Sequence, residues 1–222
     1  MALPQVIYMM GPPGAGKGTQ AELLAQKINY HRFSTGDAFR AMARQNTPLG
    51  HKVNDIIHGK GKLMPGEDAA AVVIEAVKKL ATGKQGLIFD GTPRTLVEAN
   101  IIDEFFTQAG YGRPLAIVLK VDKEDMITRN SKRKFCLNIN NDFPVTNDKE
   151  AAKCVALGGI VGARADDAVD KIEARWQEFT SKTAPVIAKY KAEGIVQEID
   201  GKRSVQEVFS DIATFVDSLP RA

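Results

Sequence analysis

Along this chain, short wholly apolar runs alternate with stretches in which apolar residues return every third or fourth position. Val6-Ile7-Tyr8-Met9-Met10 is the clearest short run, and it stops at Gly11. An unbroken apolar run of that length suits a strand buried on both faces, as in a parallel sheet. Similar runs occupy Leu87-Ile88-Phe89, Leu115 to Val121 and Ile195 to Ile199, with a weaker one at His31-Arg32-Phe33. From Lys17 onward, Ala21, Leu24, Ala25 and Ile28 fall on one helical face. Val97, Ile101 and Phe105 mark a second helix. Ile172, Trp176, Phe179, Val186 and Tyr190 mark a long one, in which Pro185 predicts a kink. Val205, Val208, Phe209, Ile212 and Val216 mark the last. Strands alternating with helices predict an α/β domain with a five-stranded parallel sheet flanked by helices.

Two stretches break the alternation. Residues 36 to 66 read as small helices interrupted at Pro48 and Pro65, with no strand between them. Residues 133 to 164 are polar, with Asn138, Asn140, Asn141, Asn147 and Gly158-Gly159, and read as an insertion with little helix. Long segments outside the core pattern are commonly lids or binding loops.

Composition narrows the setting. The chain has 222 residues, is 44% hydrophobic and carries a formal net charge of +3, with both signs spread along it. That is the profile of a globular protein able to bury a core, and a mildly basic one fits small anionic ligands as readily as nucleic acid. No apolar run is long enough for a membrane-spanning helix, and the start lacks the basic and apolar blocks of a signal peptide. Cys136 and Cys154 are the only cysteines. Two are too few for a disulfide scaffold at this size, so a reducing cytoplasm is the expected compartment.

The chemistry begins after the first strand, with Gly11-Pro12-Pro13-Gly14-Ala15-Gly16-Lys17-Gly18-Thr19-Gln20. Glycines let the backbone curl so that successive N–H groups face an anion, and the following helix adds its positive end. Lys17 supplies a full charge. Gly11 to Lys17 has the G-x-x-x-x-G-K spacing, but Gly18 stands where a hydroxyl normally follows the lysine, and the hydroxyl comes at Thr19.

This segment resembles the adenylate kinase family of nucleoside monophosphate kinases, in its long-lid form, and the likeness continues down the chain. Ser34-Thr35-Gly36-Asp37 with Arg40 is similar to the family's STGD-x-x-R, and Gly61-Lys62-Leu63-Met64-Pro65 to its G-x-L-V-P. Asp90-Gly91-Thr92-Pro93-Arg94 is similar to its DG-x-PR, with Thr92 where the family usually has an aromatic. Arg129 and Arg133 match R-x-x-x-R; Arg164-Ala165-Asp166-Asp167 and Arg175 match R-x-DD and a later arginine. Order and spacing hold from residue 5 to about 216.

The resemblance implies a P-loop NTPase-like sheet with a monophosphate-binding insertion at 36–66, a lid at 133–164, and a core from 1–35, 67–132 and 165–222. It implies reversible phosphoryl transfer from MgATP to AMP, giving two ADP, by a cytoplasmic monomer with no nucleic-acid or membrane partner. The acceptor is a phosphate oxygen, so cations rather than a general base do the work. The implied catalytic groups are Lys17, Arg94, Arg133, Arg164 and Arg175. Gly14, Ala15, Gly16, Lys17, Gly18 and Thr19 would cradle ATP, with Arg129 on its adenine, Arg133 on its phosphates and Arg203 near its base. Arg40 and Arg94 would grip the AMP phosphate. Thr35, Lys62, Leu63, Met64, Gly91, Thr92, Pro93 and Glu98 would surround AMP, with Arg164 and Arg175 bridging the two nucleotides. Asp90 would hold Mg²⁺ through its waters, and Asp37, Asp166 and Asp167 would orient arginines.

Two departures carry expectations of their own. Lids of some relatives bind zinc through paired cysteines, but Ile139 and Leu157 replace the second of each pair here. A lid without zinc, held by a small apolar cluster or by hydrogen bonds, is expected. Glu98 stands where the family places a glutamine that reads adenine. An ionised carboxylate only accepts hydrogen bonds, which suits guanine's paired donors better and predicts weakened AMP preference with measurable activity on GMP. Alternatively Glu98 is neutral, displaced or paired with a cation. Another class of reading is a regulator that binds nucleotide without transferring phosphate.

Overall fold

The computed structural model describes residues 3–59, 62–80, 86–137, 143–163 and 169–220. Five parallel strands form the main sheet: β1 (Val6–Met10), β2 (His31–Ser34), β3 (Leu87–Asp90), β4 (Leu115–Lys120) and β8 (Val196–Asp200), in the order β2-β3-β1-β4-β8. The sequence runs anticipate all five. Along β1, Val6, Tyr8 and Met10 face one side and Ile7 and Met9 the other, each set entering a separate buried cluster. That two-sided burial is why the strand reads as a continuous apolar run.

Helices cover both faces. Leu24 of α1 (Lys17–Ile28) and Val208, Ile212 and Val216 of α10 (Val205–Asp217) pack with Ile7, Met9 and Ile117. Val73 and Val77 of α4 (Gly66–Leu80), Ile102 and Phe106 of α5 (Leu96–Gln108), and Val186 and Tyr190 of α9 (Ala184–Ala192) pack with Tyr8 and Phe89. Tyr8 and Tyr190 stack, and both hydroxyls donate to Asp103, whose other oxygen holds Lys189 at 2.7 Å.

The expected kink before Pro185 takes a specific form. Helix α8 (Val169–Glu178) passes through a π-helical turn at Phe179–Thr183 before α9 begins. Proline lacks an N–H and its ring crowds the carbonyl four residues back, which the wider turn accommodates.

The small helical stretch contains α2 (Thr35–Ala43), α3 (Pro48–Asn54) and a π-helical turn at Asp55–Gly59. Phe39, Val53 and Met64 bury together against Ala69 at the start of α4, in a cluster distinct from the two that flank the main sheet.

The second insertion, read as one with little helix, holds three short strands and one helix among its described residues. Following α6 (Lys123–Lys132), strands β5 (Lys134–Leu137), β6 (Phe143–Val145) and β7 (Ile160–Gly162) form an antiparallel sheet in the order β6-β5-β7. Helix α7 (Asp148–Ala156), capped by Asn147, packs against it. Strands this short, with solvent on one side, leave no clear period in sequence.

Cys136 of β5 and Cys154 of α7 are both fully buried and joined in a disulfide. This corrects the expected apolar or hydrogen-bonded lid, and it removes the support that the low cysteine count lent to a reducing compartment. A Cβ at Gly159 would lie 2.5 Å from one sulfur and 2.9 Å from the other, so only glycine leaves room for the bridge. Ile139 lies outside the described residues.

Cross-linking a loop of this size removes chain entropy from its opened state, worth about 3 kcal/mol in the simplest treatment. Reduction, or Cys136→Ser with Cys154→Ser, is expected to increase protease cleavage within 133–163 while leaving the main melting transition in place. Equal cleavage before and after reduction would refute a stabilising role for the bridge.

Candidate active site

Parallel strands deliver their carboxyl ends to one edge of the sheet, where ligands of such folds bind. β1 ends in the loop 11–16, and its neighbour β3 ends at Asp90, in register with Met9 and Ser34. Gly11, Gly14 and Gly16 have φ of +137°, +77° and +89°, a backbone that side-chain-bearing residues rarely adopt. Gly14 is also pressed against Asn130, whose amide nitrogen would lie 2.4 Å from a Cβ there. The loop can therefore curl, with α1 opening at Lys17.

Lys17 lies across this loop, its Nζ donating to the carbonyls of Gly11 at 2.9 Å and Pro12 at 2.8 Å. Burial pulls its pKa down to about 7; Asp90 opposes the shift, while Arg94, Arg175 and Arg133 reinforce it. One cleft is lined by Lys17, Arg94 and Arg175 together with Gly11, Leu63, Gly91, Thr92 and Pro93. Four predicted cations are thus electrostatically coupled at the phosphate loop.

Arg94 is held by its own loop. Its Nε donates to the Gly91 carbonyl, and its carbonyl accepts from the Thr183 hydroxyl at 3.0 Å. Gly91, at φ +80°, leaves space that the guanidinium fills. Leu63 reaches across by donating its N–H to Glu178 of α8 at 3.2 Å.

The remaining predicted residues are distributed unevenly. Thr35 is buried and donates to the Asp90 carbonyl at 3.2 Å. Arg40 folds back over Gly36 and pairs with Asp37. Burial pushes the Asp37 carboxyl up, but Arg40, Ser34 and Arg32 outweigh it and hold it below the ordinary value. Met64 sits within the apolar cluster of the small helical stretch, and Lys62 is exposed. Arg129 is bound through both terminal nitrogens, to the carbonyls of Gly201 and Lys202 at 2.7 Å each. Arg203 pairs with Asp211, and Arg133 lies 5.2 Å over the Phe135 ring. Arg164, Asp166 and Asp167, like Gly61, fall outside the described residues.

Glu98 differs most from expectation. It is 2% exposed, accepts from the Thr92 hydroxyl on Oε1 and from the Arg94 N–H at 2.7 Å on Oε2, and does not line the cleft. The sequence argument for guanine required a carboxylate presented to a base; this one is displaced onto its own loop.

Arg32 was missed. Its guanidinium bonds Asp90 at 2.8 Å and lies 3.6 Å from Asp37 and 3.7 Å from Glu22. The available signal was an arginine near the end of β2, beside the strand that carries Asp90. Among the described residues, no group of three or more His, Cys, Asp or Glu is placed to hold a metal. None of the described helices is long and apolar enough to cross a membrane.

Comparison with known proteins agrees with this geometry. The family described as adenylate kinase matches residues 9–195. The chain belongs to the adenylate kinase family. It is 37% identical over 204 residues to an adenylate kinase of Fervidobacterium nodosum, covering 91% of this chain and 93% of that protein. It is 35% identical over 208 residues to one from Carboxydothermus hydrogenoformans, covering 93% and 96%. One from Clostridium botulinum is 33% identical over 212 residues, covering 95% and 97%.

A lysine with a pKa near 7 gains its proton when a polyphosphate arrives beside it. At pH 8, where the triphosphate itself is fully ionised, ATP binding is expected to take up about one proton per site. The uptake should vanish near pH 5.5 and be absent in Lys17→Arg. Calorimetry in buffers of different ionisation enthalpy measures it, and no uptake at pH 8 would refute the assignment.

Proposed function

We propose that the protein transfers a phosphoryl group reversibly between MgATP and AMP, giving two ADP. The observation that carries this reading is the cleft shared by Lys17, Arg94 and Arg175 at the end of the phosphate loop. Residues 14 to 19 and Lys17 serve the triphosphate, while Arg94 and Arg40 serve the acceptor phosphate. Arg175, and Arg164 with it, span the transfer path, and Arg133 reaches in from the lid. Arg129 and Arg203, anchored to the segment after β8, border the adenine of ATP. Thr35, Leu63, Met64 and residues 91 to 93 enclose AMP.

The chemistry needs no base, because the attacking oxygen is already anionic; placement and charge neutralisation are sufficient. Guanidinium groups suit this role because their planar fork makes paired bonds to phosphate. Mg²⁺ bound with the triphosphate would neutralise charge on its outer oxygens. Asp90 fits a cation that keeps its waters: it is a hard oxygen donor beside Gly18, where a Cβ would come within 2.9 Å of Oδ2.

We assign 36–66 to monophosphate binding, 133–164 to the lid, and 1–35, 67–132 and 165–222 to the core. The apolar cluster of the first, distinct from those flanking the main sheet although it takes in Ala69 of α4, and the separate sheet of the second support these divisions. Closure of both would exclude water, which competes with AMP for the phosphoryl group. One chain carries both nucleotide grips, which supports a monomer as the working unit, in the cytoplasm. A reducing thiol pool there opposes the Cys136–Cys154 bond.

Phosphorus NMR of the protein with MgATP and AMP is expected to show both converting to ADP. Arg175→Ala or Arg94→Ala should lower kcat/KM by about 10²–10³-fold, with lysine at either position restoring little. Nucleotide binding without ADP from any monophosphate would instead support the regulator.

A further inference from the structure

Two of the departures found in the sequence, Thr92 and Glu98, meet in space. Both are almost wholly buried, at 1% and 2% exposure, and the Thr92 hydroxyl donates to Glu98 Oε1. Glu98 Oε2 accepts the Arg94 N–H at 2.7 Å. The Glu98 N–H is itself bound by Thr95, the N-cap of α5, at 3.1 Å, which fixes the glutamate in the first turn. Both carboxylate oxygens are therefore engaged by donors of the 92–94 segment. Across the cleft, Thr183 binds the Arg94 carbonyl. The peptide unit carrying Arg94 is held from two sides, by α5 and by the π-helical turn before α9.

We propose that Glu98 is a positioning residue: with Thr92 it locks the 91–95 loop so that Arg94 is presented to the acceptor phosphate, and it takes no part in reading the base. The inference rests on the phosphoryl-transfer reading and specifies how its acceptor side is built. Buried carboxylates are costly unless every lone pair facing the protein meets a donor. Here burial pushes the Glu98 carboxyl up, while Thr92, the Arg94 N–H and the Arg94 charge pull it back. Each carboxylate oxygen gives one lone pair to this anchorage and Glu98 does not line the cleft, so turning it toward a base would break the lock. A glutamine could preserve both contacts, its oxygen accepting from the Arg94 N–H and its amide donating to the Thr92 hydroxyl.

The test is a steady-state panel with AMP, GMP, CMP and UMP as acceptors. Glu98→Ala is expected to raise the acceptor KM by about 10- to 100-fold, and Thr92→Val by about tenfold, as expected for lost charged hydrogen bonds. The factor should be the same for all four acceptors, with the KM for ATP unchanged. Glu98→Gln should recover to within about threefold of the parent and keep the acceptor ranking. An unchanged KM for ATP also shows that each variant is folded; should Glu98→Ala not fold, Thr92→Val and Glu98→Gln still decide the matter. Re-ranking of the acceptors by Glu98→Gln would make Glu98 a base reader and overturn the proposal, as would an unchanged acceptor KM in Thr92→Val. If the unaltered protein phosphorylates none of the four, the phosphoryl-transfer reading itself fails.

Discussion

Like charges crowded in a partly buried cleft repel one another; Asp90 offsets part of that repulsion, and an anion brought from outside relieves the rest. Lys17, Arg94, Arg175 and Arg133 stand in that relation at the carboxyl edge of the sheet, and their repulsion adds to the burial that chiefly lowers the pKa of Lys17. The rest of the fold makes such crowding sustainable. Two apolar clusters back the sheet on either face, so the strand ends that carry the cleft do not yield. Carbonyls of the phosphate loop accept from Lys17, and the 91–95 loop binds Arg94 through its own backbone. Arg32 shares the Asp90 carboxylate and couples β2 to β3 at the same edge.

Rigid positioning on one side is matched by separable pieces on the other. The small helical stretch buries an apolar cluster against the start of α4, and the insertion after α6 holds a bridged antiparallel sheet. The closure we propose around two anionic nucleotides calls for pieces that keep their shape as they swing. The contact from Leu63 to Glu178 and the π-helical turn ahead of Pro185 lie where the helical stretch meets the long helix.

Much of this was legible in the sequence, for physical reasons that also mark the limits. β1 and β4 announced themselves because burial on both faces demands unbroken apolar runs. The phosphate loop did so because its backbone requires glycine at fixed places. Pro185 signalled a deviation in the long helix because a missing donor acts locally. The lid sheet did not, since β6 and β7 have three residues each and one open face. Nor did the disulfide, whose partners meet only once β5 and α7 have packed. Arg32 escaped because its partner lies on another strand. For Glu98 the sequence left two readings open, a base contact or a displaced side chain, because its contacts with Thr92 and the backbone of Arg94 are a tertiary arrangement no spacing encodes.

The central claim is that one cleft is electrostatically complete only when two nucleotides lie end to end within it. Calorimetric titration with two adenosines joined by five phosphates tests this directly. The account predicts one molecule bound per chain, orders of magnitude more tightly than ATP or AMP alone, with affinity falling as salt is raised. Binding no tighter than that of ATP, or two molecules per chain, would contradict it.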